Sequence, residues 1–241
     1  MFNSISRSIR VAVFLFLLVS LSTTYAQQRF SAGPRLGLNL SNYWGHADGM
    51  KFKPGVVAGA FLMYSSLNHF GISADILYAQ RGTKFSGALV PSFGRPTTVT
   101  FTQRVNYLEI PIVARYFLTL SGNFRPNVFI GPSLAVKLNA KRVNGEYNGS
   151  AGGTGPAINI DNSNDFKDLD LGATGGFQLN WGAGKRQRFL IDARYNLGLS
   201  DVQTNLPNLW GSRSSLQNST ITLTLGYGFG IGREFRSRYS R

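Results

Sequence analysis

The side chains able to do nucleophilic, acid–base or metal chemistry are few: the 241 residues hold two histidines, His46 and His69, and no cysteine. Nucleophilic catalysis needs an imidazole within hydrogen-bond reach of its serine, and a structural zinc site takes about four clustered nitrogen or sulfur donors. Only His46, with Asp48 and a nearby serine, could enter such a constellation; its plainer reading is a solvated loop histidine. Gly226-x-Gly228-x-Gly230-x-Gly232 has the glycine density of a nucleotide loop. Its strict alternation, however, puts every glycine on one face of a strand, with no helix after it. Gly184-Lys185 lacks both the spacing and the following Ser/Thr of a P-loop. The expectation is an absence of catalytic, cofactor-binding and metal-ligating residues, and a protein that is not an enzyme.

What remains is ionic and apolar chemistry. Twenty-five basic against 11 acidic residues leave a net charge of +14, a surplus that suits nucleic acid or anionic lipid. The N-terminus chooses between them. Arg7 and Arg10 precede an apolar run from Val11 to Leu21, followed by Thr24-Tyr25-Ala26. This is the charged, apolar and small-x-small order of a cleaved export signal over residues 1–26, and the run is shorter than the ~20 residues a spanning helix needs. An exported chain meets lipid phosphates, not nucleic acid. Charged residues make up only 15%, well below the ~25% of soluble domains, which fits a wall facing hydrocarbon.

The elements that must place these residues are strands. From residue 29 onward eight alternating runs follow: 35–41, 55–64, 70–81, 100–118, 127–139, 168–181, 188–200 and 219–231. Most reach the ~10 residues of a tilted membrane strand. Short connections (65–69, 119–124, 182–187) alternate with long Gly-, Asn- and Ser-rich ones (42–54, 82–99, 140–167, 201–218), the longest expected to be mobile. Outer-membrane barrels show this asymmetry of tight periplasmic turns and long external loops. The reading is all-β: an eight-stranded antiparallel up-and-down transmembrane β-barrel over 27–241 with a short basic C-terminal tail, both termini periplasmic. His46 and His69 then fall on opposite sides of the membrane.

The polar face of each run says which side is inside. In the last run Ile221, Leu223, Leu225, Tyr227, Phe229 and Ile231 oppose Thr220, Thr222, Thr224, Gly226, Gly228 and Gly230. Small residues suit a crowded interior, whereas a soluble barrel would carry Lys and Glu there. The same phasing turns Asp75, Glu109, Arg115, Asp170, Asp192 and Arg194 inward as an ion-pair network, because unpaired charges in a dry lumen cost too much. Arg35, Arg81 and Lys137 share that face and read as wetted at the barrel ends. Glu109 and Arg115, about 20 Å apart at ~3.3 Å per residue, need partners on other strands: Asp75, Lys137, Asp192 or Arg194. Tyr43, Trp44, Phe52, Tyr64, Tyr78, Tyr116, Trp181 and Tyr227 read as exposed aromatics of the two interfacial girdles. Pro111 and Pro132 imply a bulge or distortion, since proline cannot donate to a ladder.

Four segments carry a family resemblance: Gly37-Leu38-Asn39-Leu40-Ser41, Tyr107-Leu108-Glu109-Ile110-Pro111, Arg125 to Ser133 (RPNVFIGPS) and Leu190 to Leu199 (LIDARYNLGL). In this order they resemble the PorT-like outer-membrane β-barrel family of Bacteroidetes. The resemblance implies an eight-stranded barrel, and the family's namesake takes part in type IX secretion. The chain departs from the pattern by continuing past its last strand with Arg233-Glu234-Phe235-Arg236-Ser237-Arg238-Tyr239-Ser240-Arg241. The leading expectation is a non-channel barrel with a structural or surface-interaction role through its external loops. An accessory component of a secretion machine comes second and a lipid-acting barrel enzyme third. The partners expected are outer-membrane lipid, lipopolysaccharide and secretion or envelope proteins, with no cofactor. N-terminal sequencing of protein from fractionated cells tests the leader: the mature chain should start at Gln27 in the outer membrane, and an intact Met1 in the soluble fraction would contradict it.

Overall fold

The computed structural model describes residues 30–45, 50–66, 69–89, 97–120, 122–144, 159–183, 186–203 and 216–231. The leader, His46, Asp48 and the basic tail lie outside these residues. The strands are β1 (Phe30–Gly45), β2 (Met50–Ser65), β3 (Phe70–Leu89), β4 (Thr97–Phe117), β5 (Asn127–Asn144), β6 (Asn159–Asp161), β7 (Leu169–Gly182), β8 (Gln187–Gly198) and β9 (Leu216–Ile231). Eight of them, all but β6, form a closed antiparallel ring: each pairs with the next along the chain, and β9 pairs back onto β1. The fold is an up-and-down barrel. β6 is a fringe outside the ring, held to β5 by Lys141–Val143 against Asp161–Asn159.

Alternation sets the wall. Leu38 and Ile130 are 67% and 70% exposed, while Arg35 and Asn39 on the opposite face of β1 are 1% and 2% exposed. Apolar side chains outside and polar ones inside is the reverse of a soluble barrel and the pattern of a membrane one.

The strands run well past the limits read from the sequence. β3 has 20 residues and β4 has 21, about twice the span of a bilayer. Segments 42–54 and 82–99, read as loops, are mostly strand. Thr97-Thr98-Val99-Thr100-Phe101-Thr102 is β-branched and aromatic, and Gly82 takes a positive φ of 138° inside β3, where only glycine is at ease. The 140–167 loop also departs from expectation. Its described ends form the top of β5, then β6 and a 3-10 turn at Ser163–Asp165; residues 145–158 lie outside the described set.

Pro111 and Pro132 do not shift the register, whereas the β2–β3 ladder does shift between Phe52 and Val57, around Pro54. β4 and β5 pair at Pro111↔Ser133 and resume in the same register at Ala114↔Ile130, so the ladder is interrupted but not slipped. The slip comes higher, where Asn106↔Asn139 is followed by Tyr107↔Lys137 and Leu138 is the extra residue. That bulge reverses the faces of upper β5: Lys137 points in below it, while above it Ala140 is buried and Lys141 is exposed.

The β1–β9 seam closes through two close approaches, at Gly33 and Gly37. A Cβ at Gly33 would collide with the Tyr227 carbonyl across the β1–β9 seam, whereas one at Gly175 would meet nothing nearer than 3.6 Å. Gly33→Ala should therefore cost about 1–3 kcal/mol of stability by overpacking, and Gly175→Ala should stay within about 0.5 kcal/mol. Urea unfolding in detergent followed by gel mobility compares them; equal midpoints would mean that the seam is not tight.

Candidate functional site

The described part of the molecule concentrates its charge chemistry inside the ring, in two layers. In the lower layer β1 supplies Arg35, β3 Asp75, β4 Arg115 and β8 both Asp192 and Arg194. Arg35 donates to Asp192 and lies 3.3 Å from Asp75. Arg194 donates to Asp75 from both terminal nitrogens at 3.0 Å and to Asp192 at 2.8 Å. Thr224 Oγ1 and Gln178 Nε2 complete the shell of Asp192 at 2.6 and 3.3 Å. Arg115 departs from expectation because it forms no ion pair with the described residues. It donates instead to Ser73 Oγ and Asn127 Oδ1, each at 2.8 Å, and its guanidinium sits 4.5 Å from the Phe129 ring centre.

In the upper layer Arg81 lies 2.5 Å from Glu109 and 3.6 Å from Asp170. Asn196 donates to Glu109 at 2.9 Å, and Asn218 and Ser200 donate to Asp170 at 2.7 and 2.9 Å. Glu109 thus finds Arg81, which was absent from its expected partners. The layers complement each other: three guanidiniums face two carboxylates below, and one faces two above. Arg35 and Arg81, read as wetted, are only 1% and 2% exposed. Lys137, also read as wetted, has a side chain only 8% exposed and pairs at 2.9 Å with the exposed Asp168.

Both ends of the lumen are stoppered by apolar side chains. Phe61, Met63, Phe117 and Leu190 pack together at the end of the short turns. At the other end Phe166 and Val202, from the β6–β7 and β8–β9 connections, pack against Tyr43, Val105, Tyr107, Ala140 and Leu216. Lys137 holds this cap by donating to the Ser163 and Phe166 carbonyls at 2.6 and 2.5 Å, and Gln103 and Asn162 exchange side-chain bonds at 3.0 and 2.9 Å. Tyr43, read as an exposed girdle residue, is 5% exposed and belongs to this cap: it sits on the inward face of β1, which extends to Gly45. Sequence reasoning missed Phe166 and Val202 because both sit in irregular connections, where periodicity assigns no face.

The other girdle aromatics stand on the outer face of the wall except Phe52, which is exposed at the rim but pairs in register with the inward Thr83. Trp44 and Phe52 are exposed near the long-strand end, with Tyr78 part-exposed on upper β3. Tyr64, Tyr116, Trp181 and Tyr227 lie toward the short-turn end, in contact with Phe30, Phe70, Phe124 and Phe189 respectively. His69 sits at that end too, its Nδ1 2.5 Å from the Phe117 carbonyl and its ring stacked on Tyr116. Among the described residues no group of three or more His, Asp or Glu side chains could hold a metal.

Removing one partner from this lumen leaves another charge stranded. Glu109→Ala should cost about 3–5 kcal/mol, while Asp165→Asn on the 3-10 turn at Ser163–Asp165 should stay within about 0.5 kcal/mol. Urea midpoints of the two variants in detergent test this, and equal values would show that Glu109 is solvated.

No curated protein sequence matches the chain. Among solved structures it is similar to Neisserial surface protein A (12% identity, TM-score 0.42, covering 84% of this chain and 97% of that one). It is also similar to OprG from Pseudomonas aeruginosa (11%, 0.43, 85% and 96%) and to Ail, the attachment invasion locus protein of Yersinia pestis (14%, 0.40, 83% and 98%). Residues 22–203, most of the sequence, match the family model described as outer membrane protein beta-barrel domain. The chain belongs to that family of outer-membrane β-barrels.

Proposed function

We propose that this protein is a non-channel barrel of the outer membrane with a structural or surface-interaction role, carried by the strand ends and connections beyond the bilayer. The observation behind this reading is the lumen, which is closed by apolar clusters at both ends and cross-linked by buried ion pairs between them. An eight-stranded ring encloses room for side chains and little more, and here paired side chains take that room. The long strand ends are the other half of the reading. β3 and β4 rise well beyond a bilayer's thickness and give the outer end a rigid, β-built surface.

In this reading the leader over 1–26 is removed, both termini face the periplasm, and the protein is not an enzyme. Its partners are outer-leaflet lipid and lipopolysaccharide, together with envelope proteins. The four ordered motifs that resemble the PorT-like family of Bacteroidetes favour a second reading, an accessory component of a type IX-like secretion machine. Co-purification with secretion components would favour that role, and loss of lipid turnover on changing His46 would favour a barrel enzyme.

The filled lumen has a direct electrical consequence. Purified protein in planar bilayers should give no sustained porin-sized conductance; steady large openings would overturn the non-channel reading.

A further inference from the structure

We propose that Lys51, Lys84, Arg104 and Lys141 form a binding site for the phosphate groups of a glycolipid in the outer leaflet, the chemistry of a diphosphorylated lipid A headgroup. The proposal rests on the outer-membrane placement above and on the long strand ends being external.

The four residues come from four neighbouring strands, β2 to β5, and all are exposed. Register makes them contiguous. Lys51 stands directly opposite Lys84, and Arg104 directly opposite Lys141. The two pairs are joined on β3, where Gly82 is the direct partner of Arg104 and Lys84 is two residues further along. Directly opposed side chains lie about 5 Å apart, and like charges so placed destabilise a sheet. This sheet carries two such pairs side by side. None of the four enters an ion pair with the described residues. The nearest acid in register, Asp161 opposite Lys141, accepts the Ser163 N–H at 3.0 Å. Arg142 is not part of the group, since its guanidinium lies over the Phe101 ring. A bound dianion would turn this repulsion into attraction.

Height and facing favour a lipid over a soluble polyanion. The four share the outward face of the wall with the lipid-facing residues; the Leu138 bulge turns Lys141 to that face, and the β2 register shift between Phe52 and Val57 does the same for Lys51. The apolar belt ends at Tyr78 on β3, Leu108 on β4 and Leu138 on β5. Arg104 is four residues beyond Leu108, about 13 Å along the strand and about 10 Å along the membrane normal at a ~40° tilt. Lys and Arg side chains can reach down from there to the headgroup level.

The test is native mass spectrometry of the mature barrel in neutral detergent with diphosphoryl lipid A added. The wild type is compared with the quadruple variant Lys51→Gln/Lys84→Gln/Arg104→Gln/Lys141→Gln, with gel mobility reporting folding. The wild type should retain the lipid, and the variant should lose at least about tenfold in affinity, since each basic residue near an anionic surface adds about a factor of five. Without lipid the variant should be at least as stable to urea as the wild type, because it sheds two like-charge pairs. A fold too weak to purify would contradict that. The single reversal Lys84→Glu should weaken binding in the same direction. Equal lipid binding by wild type and quadruple variant would overturn the site. Binding of a soluble sulfated polysaccharide that depends on the four residues, with lipid A ignored, would overturn it in favour of a soluble partner. Conductance in bilayers would defeat the non-channel reading while leaving this result standing, so the two failures are distinguishable.

Discussion

A carboxylate or guanidinium sealed inside a ring of eight strands has only other side chains to replace its water. That constraint organises the molecule. Desolvating a charge costs several kcal/mol, and pairing recovers it only where geometry and hydrogen bonds are good. Accordingly Asp192, which faces Arg35 and Arg194, also accepts from Thr224 and Gln178, and Asp170 is finished by Asn218 and Ser200. The pairs join strands that are not neighbours in the ring: Arg194 on β8 reaches Asp75 on β3. Bonds of this kind brace the barrel across its diameter, which the backbone ladders, running only around the wall, cannot do.

The apolar stoppers serve the same end. Phe61, Met63, Phe117 and Leu190 at one mouth, and the cap of Phe166 and Val202 at the other, keep bulk water from competing with the pairs. Lys137 links cap to wall: it lies in the lumen, yet donates to carbonyls of the connection that supplies Phe166. Outside the ring the chemistry is inverted. Hydrocarbon solvates the belt, and beyond the belt Lys51, Lys84, Arg104 and Lys141 form no ion pair with the described residues.

Much of this was legible from residue order. Thr220, Thr222 and Thr224 against Ile221, Leu223 and Leu225 fixed the inner face of β9, and the same phasing turned Asp75, Glu109, Asp170, Asp192 and Arg194 inward, where the structure places them. Individual partners were not legible, because they depend on stagger across the lumen. Arg115 illustrates this: an inward cation read as ion-paired is satisfied by Ser73, Asn127 and the face of Phe129. Strand ends were misjudged because the Gly- and Ser-containing stretch 82–99 read as a loop, although glycine, as at Gly82, also tolerates an unusual φ within a ladder. Tyr43 followed that error, since a residue assigned to a loop has no assigned face. The bulge was sought at Pro111 and Pro132, but missing N–H groups only interrupted the ladder, and the extra residue was Leu138.

The most direct test of a dry, filled lumen uses the absence of native cysteine. Single cysteines are placed at Thr222, which faces the lumen, and at its neighbour Leu223, which faces outward. The folded barrel in lipid nanodiscs is then exposed to a water-soluble and to a lipid-soluble maleimide. The account predicts that Leu223→Cys reacts only with the lipid-soluble reagent and that Thr222→Cys reacts with neither until urea unfolds the protein. Rapid labelling of Thr222→Cys by the water-soluble reagent in the folded state would reveal an open aqueous lumen and contradict it.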